Sequence, residues 1–169
     1  MPETVASPRI APNDPRLDAW RTFLTAHARL VRRLDEELRA EHGLSLGEYE
    51  TLLHLASASH RRLRMHELAE RVLLSRSGTT RLIDRLEANG LVARCVCTSD
   101  GRGAEAELTD SGLARLRSAS ATHLRGVESY FLGVIPPDDL GIVERSLGGV
   151  ASRVAARLPG TPPAETDDD

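Results

Sequence analysis

Hydrophobic positions along the chain keep a helical rhythm, interrupted once by a short stretch that alternates. From about Arg16 to Ala40, Leu17, Leu24, Val31 and Leu38 recur every seven residues. Trp20 and Leu34 hold the other seam position with His27 between them, and Phe23 and Leu30 widen the stripe. This spacing predicts a long amphipathic helix. Its apolar face is too extensive to stand alone, so it needs partner helices, its own or those of a second chain. Gly43 closes it. Ser45-Leu46-Gly47-Glu48 has the form of a capping box. It opens a second helix through about Ala58, with Leu46, Tyr49, Leu52, Leu53 and Ala56 as its apolar stripe. After a basic connector from His60 to Arg64, Met65, Leu68, Ala69 and Val72 mark a short third helix.

Ser75 is placed to cap a fourth helix. Thr79, Leu82, Ile83 and Leu86 follow i, i+3, i+4, i+7 and form its inner stripe. Asn89-Gly90 stops it. Leu91–Cys97 and Ala104–Leu108 read as two strands around the turn Thr98-Ser99-Asp100-Gly101-Arg102-Gly103. Thr109 can cap a long fifth helix with Leu113, Leu116, Leu124, Val127 and Phe131 inward. Pro136-Pro137 breaks the chain, and a sixth helix carries Leu140, Val143, Leu147, Val150 and Val154 on one side. The fold class is therefore mainly α: about six helices, with a winged helix-turn-helix and a two-stranded β-wing. Residues 1–15 are expected to be a flexible arm, 16–43 and 110–157 a long-helix domain, 44–109 the winged unit, and 158–169 a disordered acidic tail.

Composition narrows the class. With 169 residues, 40% hydrophobic and 28% charged, the chain is an ordinary soluble globular protein of about one domain. Aromatics at 3% argue against an aromatic-rich sugar or single-strand platform. No apolar run approaches the roughly 20 residues of a membrane span. Met1-Pro2-Glu3-Thr4 lacks the features of a secretory signal. Two cysteines make no disulfide framework, so a cytoplasmic setting is expected.

The net charge of −3 taken alone argues against nucleic acid, but its distribution weakens that argument without by itself establishing binding. Glu165, Asp167, Asp168 and Asp169 put −4 in the tail, leaving +1 elsewhere. From Arg61 to Glu107 there are nine arginines against seven acids. The chain has no lysine, so arginine is its default cation and a single Arg carries little information.

The middle of the chain has the chemistry of a groove reader. A recognition helix is anchored by one apolar face and presents short polar and guanidinium groups on the other. Opposite the Thr79/Leu82/Ile83/Leu86 stripe lie Arg76, Ser77, Thr80, Arg81 and Asp84. Arginine pairs with guanine N7 and O6, and Ser and Thr hydroxyls reach base edges or phosphates. Arg85 lies between the two faces, suited either to phosphate or to Asp84 or Glu87. Arg102, between two glycines at a hairpin tip, suits a minor-groove probe.

Residues 44–117 resemble the MarR family of bacterial transcription regulators. Leu44-Ser45-Leu46, Tyr49 and Leu52-Leu53 are similar to its second-helix signature, and Met65-His66-Glu67-Leu68-Ala69 to its third helix. Ser77 to Val92 follows its recognition helix and exit. Asp100-Gly101-Arg102 through Leu108-Thr109 resembles its wing, with Ala106 at the usual Val place. The resemblance implies a homodimer built on the first, fifth and sixth helices, binding double-stranded DNA at a pseudo-palindrome. It implies that Arg81 contacts DNA from the recognition helix, that Arg102 enters the minor groove, and that Asp100 anchors the wing through a nearby arginine. It also implies a small-molecule effector, aromatic or lipophilic, between the helical and DNA-binding parts, where Trp20, Phe23, His27 and His54 are candidates. These four are equally readable as core residues.

Other chemistry is thinly supported. Cys95 and Cys97 share one strand face, read either as small strand-filling residues or as a redox thiol near the wing. The family's peroxide sensors carry a cysteine near the start of the first helix, where this chain has none. The six histidines are scattered, without metal-ligand spacing. No phosphate-binding glycine loop, nucleophile elbow or cofactor site is apparent, and no enzyme activity is expected. The expected function is that of a homodimeric, ligand-responsive DNA-binding regulator. The alternative is a helical dimeric protein-interaction module that keeps the winged fold without specific DNA binding.

Overall fold

A computed structural model describes residues 10–11, 13–96 and 104–155. The turn with Asp100 and Arg102, Cys97, most of the N-terminal arm and the acidic tail lie outside the described residues. The chain divides into two compact units, Met1–Gly126 and Val127–Asp169.

Six α-helices and three short strands make up the described chain. In the first unit, α1 spans Arg16–His42 and ends where Gly43 turns left-handed at φ 64°, its N–H bonding back to the Arg39 carbonyl. Leu34 and Leu38 are buried, whereas Trp20, Phe23, Leu24 and Val31 stay exposed. The heptad stripe is thus covered within the chain only at its C-terminal end. There Asp35 accepts the Leu46 N–H at 2.8 Å, fixing how α1 meets the next helix.

The capping box forms as expected: Ser45 and Glu48 exchange bonds at the start of α2, Leu46–Ser57. The stripe of α2 differs from its sequence reading. Leu46, Tyr49, Thr51, Leu52 and Leu55 are buried, Leu53 is exposed and Ala56 is half-buried. At about 100° per residue Leu55 falls on the face shared by Glu48, Thr51 and Leu52, whereas Leu53 turns away from it. The basic connector also holds structure the pattern did not predict. A 3₁₀ turn at Ser59–Arg61 leads into β1, Arg62–Arg64, with Leu63 buried. The sheet therefore has three strands, ordered β1-β3-β2, rather than the two expected.

Two more helices follow, α3 at Met65–Arg71 and α4 at Arg76–Ala88. The Ser75 hydroxyl caps α4, accepting the Gly78 N–H at 3.1 Å. The buried residues of α4 are Thr79, Leu82, Ile83 and Leu86, as the periodicity predicts. Between α3 and α4, Leu73 takes φ 54°, a left-handed conformation that costs a leucine roughly 1–2 kcal/mol. Gly90, at φ 68°, makes the corresponding turn after α4 without that cost.

Strands β2 (Val92–Val96) and β3 (Ala104–Leu108) pair antiparallel, and β1 pairs with the far edge of β3. The register sets Arg62, Glu107 and Ala93 in one row and Arg64, Glu105 and Cys95 in the next row on that face. The opposite face presents Leu63, Ala106, Leu108 and Val92 to the core. Thr109 then caps α5, Asp110–Val127, its hydroxyl accepting the Gly112 N–H at 3.0 Å.

The buried face of α5 matches the predicted one only at Leu116. Gly112, Leu116, Ala119, Thr122 and Gly126 are buried, whereas Leu124 is exposed and Leu113 half-buried. Small residues line the inside because α5 passes close to its neighbours. A Cβ on Gly112 would sit 2.1 Å from the Leu91 carbonyl oxygen.

In the second unit, a π-type turn at Glu128–Leu132 contains Phe131, so Phe131 is not part of α5. The last helix, α6, spans Pro137–Ala155 and has no buried residue; Ile142, Leu147, Val150 and Val154 are exposed. No helix among the described residues is long and apolar enough to cross a membrane.

Candidate nucleic-acid interface

The outward face of α4 gathers the predicted contact residues. Arg76, Ser77, Thr80 and Arg81 are all exposed, while Thr79, Leu82, Ile83 and Leu86 hold the other side of the helix in the core. Ser77 Oγ lies 3.2 Å from the capping Ser75 Oγ. The Thr80 hydroxyl donates to the Arg76 carbonyl at 2.9 Å. Both hydroxyls are thus held by the helix itself, at and beyond its positive N-terminal end, which favours an anion.

The arginines of this region divide into two groups. Arg85 donates to Glu48 on α2 at 3.1 Å. Glu48 is buried, and burial alone would raise its pKa. The Ser45 backbone N–H, the Arg85 guanidinium and the Ser45 hydroxyl outweigh this and hold it below the usual carboxylate range. Arg94 on β2 is tied to α4: it meets Glu87 at 2.6 Å, pairs with Asp84, and reaches the Thr80 carbonyl. Arg76 and Arg81, by contrast, have no ion pair or side-chain hydrogen bond among the described residues. Arg85 therefore takes a structural partner, Glu48, instead of the Asp84 or Glu87 weighed from sequence. Asp84 serves Arg94 rather than standing free on the contact face.

The clamp formed by Arg94 escaped sequence reasoning. A cation at a half-buried strand position has no periodic signature, and its two acids are three residues apart on a different element. The only hint is that Asp84 and Glu87 share a helix face one turn apart. The predicted anchor, Asp100, and the predicted groove probe, Arg102, lie outside the described residues.

The candidate effector residues occupy separate surroundings. Trp20, Phe23 and His27 form an exposed run on α1, with ring centroids 6.0 Å apart at each step. His54 is half-buried on α2. A cleft of about 630 Å³ opens elsewhere, lined by His60, Arg61, Arg62, Ala93, Glu107, Leu108, Thr109 and Asp110. None of the four candidates borders it. Arg61 bonds Asp110 at 3.0 Å and Arg62 bonds Glu107 at 2.9 Å, so its guanidiniums are engaged. Cys95 is half-buried and donates its thiol to Glu107 at 3.2 Å. That bond, with burial, raises the thiol's pKa and opposes the reactive thiolate. No group of three or more His, Cys, Asp and Glu side chains able to hold a metal occurs among the described residues.

Comparison with known proteins places this geometry. A family model described as the MarR family matches residues 42–103. The HTH-type transcriptional repressor YetL of Bacillus subtilis is 35% identical over 94 residues; that match covers 56% of this chain and spans just over half (56%) of the relative's own length. The crystal structure of AbsC, a MarR family transcriptional regulator from Streptomyces coelicolor, superposes with a TM-score of 0.81 at 30% identity, covering 89% of this chain and 100% of that one. Sco3205, another such regulator from the same organism and solved in complex with DNA, gives a TM-score of 0.78 at 34% identity, covering 96% of this chain and 97% of that one.

Proposed function

Since the chain belongs to the MarR family of transcriptional regulators, we propose that it is a homodimeric repressor that binds a pseudo-palindromic operator and is modulated by a small-molecule effector. The observation that carries this reading is the division among the arginines. Arg85 and Arg94 are used up inside the winged unit, while Arg76 and Arg81 face outward with no partner among the described residues. Leaving two guanidiniums free beside two hydroxyls at a helix start is what reading a base edge and a phosphate requires. In this scheme α4 enters the major groove, Arg102 reaches the minor groove and Asp100 steadies the wing.

The dimer is supported by what the single chain leaves uncovered. Trp20, Phe23, Leu24 and Val31 on α1 and Leu124 on α5 are exposed, as are Ile142, Leu147, Val150 and Val154 on α6. So much exposed apolar surface calls for a partner surface. Residues 16–43 and 110–157 would form the dimer and 44–109 the DNA-binding lobe, with half-sites roughly 34 Å apart. A ligand among Trp20, Phe23, His27 and His54 would bias the separation of the two lobes and so the match to those half-sites. Nothing in this role requires catalysis, and it is exercised in the cytoplasm.

A salt series tests the reading. Binding dominated by phosphate contacts makes log affinity fall linearly with log salt concentration. A flat response, or no binding to any duplex at low salt, contradicts it.

A further inference from the structure

Leu73 combines two costly features. It is 89% exposed, beyond any other large apolar side chain among the described residues, and it holds a left-handed backbone at φ 54°. Glycine would occupy that backbone without strain, and an exposed polar residue such as asparagine with little. Neither packing among the described residues nor the turn explains a leucine here.

The position of Leu73 suggests what does. It stands two residues before Ser75, the cap of α4, and so borders the surface that presents Arg76, Ser77, Thr80 and Arg81. Its neighbour Leu74, 43% exposed, lies against α4: a Cβ on Gly78 would meet the Leu74 Cβ at 3.6 Å. Leu73 is the more outward member of the pair. With no carboxylate to pair with Arg76 or Arg81 among the described residues, this surface suits a polyanion better than an apolar protein partner. The apolar feature a major groove offers is the 5-methyl group of thymine.

We infer that Leu73 is a specificity-determining residue, making an apolar contact with a thymine methyl at the edge of the groove that α4 enters. The inference rests on the proposed reading of α4 as the recognition helix. It assigns to the turn, rather than to the helix face, one thymine preference in each half-site. The strained leucine is then retained because the contact needs a branched apolar side chain at that place.

The test uses duplexes selected from a random-sequence pool by the full-length wild-type protein, each thymine in turn replaced by deoxyuracil, with affinity read by fluorescence anisotropy. The wild type is expected to lose roughly threefold or more at one thymine per half-site. Leu73→Gly, its fold checked by thermal melting, is expected to bind the unmodified duplex correspondingly more weakly and to ignore that replacement. Leu73→Met, which keeps an apolar reach, should retain the sensitivity. A flat deoxyuracil profile for the wild type overturns the inference, and so does a Leu73→Gly variant with the wild-type profile. In both cases the reading of α4 survives, because specific binding persists. If the wild type enriches no sequence from the pool, that reading fails, and the contact inferred from it fails too.

Discussion

Glu87 on α4 receives both the backbone N–H of Arg94, at 3.1 Å, and its guanidinium, at 2.6 Å. The same guanidinium pairs with Asp84, one turn earlier on the helix. Strand β2 is thereby fastened to α4 along the polar side of the helix, in addition to the core contacts beneath. Arg94→Met is expected to cost about 1–2 kcal/mol, since the groups are partly exposed and solvent screens part of the bond. It should also weaken operator binding although Arg94 is already occupied within the protein. Urea unfolding and a double-mutant cycle with Glu87→Gln check this; additive losses would mean the pair is not coupled.

Gly112 and Gly78 are both helical glycines with different surroundings. A Cβ at Gly112 would collide with the Leu91 carbonyl oxygen at 2.1 Å and Leu108 Cδ1 at 2.7 Å. Gly112→Ala is expected to destabilise the fold by roughly 1–3 kcal/mol or more, because backbone must shift. At Gly78 the nearest atoms are Ser75 Oγ at 3.3 Å and Leu74 Cβ at 3.6 Å, which can yield. Gly78→Ala should change stability little, with helix propensity offsetting the tight contact by up to about 1 kcal/mol. Equal losses for the two variants in denaturant titrations would refute the close approach of α5 to Leu91.

His123 introduces a pH dependence. Its ring lies 4.5 Å from that of buried Tyr49, and its Nδ1 is buried with no hydrogen-bond partner. Burial lowers its pKa below the usual histidine value, although the Glu50 charge opposes this. The folded state therefore favours the neutral ring. The stability this provides is complete above the unfolded pKa, near 6.5, and is lost as pH falls below it. His123→Phe should become more stable relative to wild type as pH drops from about 7 to 5. A constant difference across that range would show that His123 does not titrate against folding.

Cys95 is expected to be a slow thiol. Its hydrogen bond to Glu107 and the nearby negative charge both disfavour the thiolate. In a Cys97→Ser background, iodoacetamide should modify folded Cys95 more slowly than the unfolded chain at the same pH. Glu107→Gln should speed that reaction. In that background, faster alkylation with Glu107 intact than with Glu107→Gln would contradict the assigned bond and revive a redox role.

The elements differ in how far they could be read from sequence, for physical reasons. The inner face of α4 was legible because one apolar stripe of Thr79, Leu82, Ile83 and Leu86 meets one core. The inner face of α5 was not. Periodicity follows large side chains, and here the buried line is Gly112, Ala119, Thr122 and Gly126 around a single Leu116, while Leu124 faces outward. Strand β1 is three residues with one apolar member, too short to show alternation. In the candidate site, exposure of Arg76 and Arg81 followed from the α4 pattern. Which arginines were already paired did not, since Arg85–Glu48 and Arg94–Glu87 join residues on different elements.

Arg76 and Arg81, unpaired among the described residues, are expected to read DNA, and the paired Arg85 and Arg94 are not. The direct measurement compares the affinity of wild type, Arg76→Ala and Arg81→Ala for one duplex selected by the wild-type protein and for a scrambled duplex of equal length, at one salt concentration. Each variant is expected to lose specific binding to the selected duplex, by about 1–3 kcal/mol for a base-reading arginine, while melting like the wild type. Wild-type affinity for the selected duplex in a folded Arg81→Ala variant would contradict this expectation.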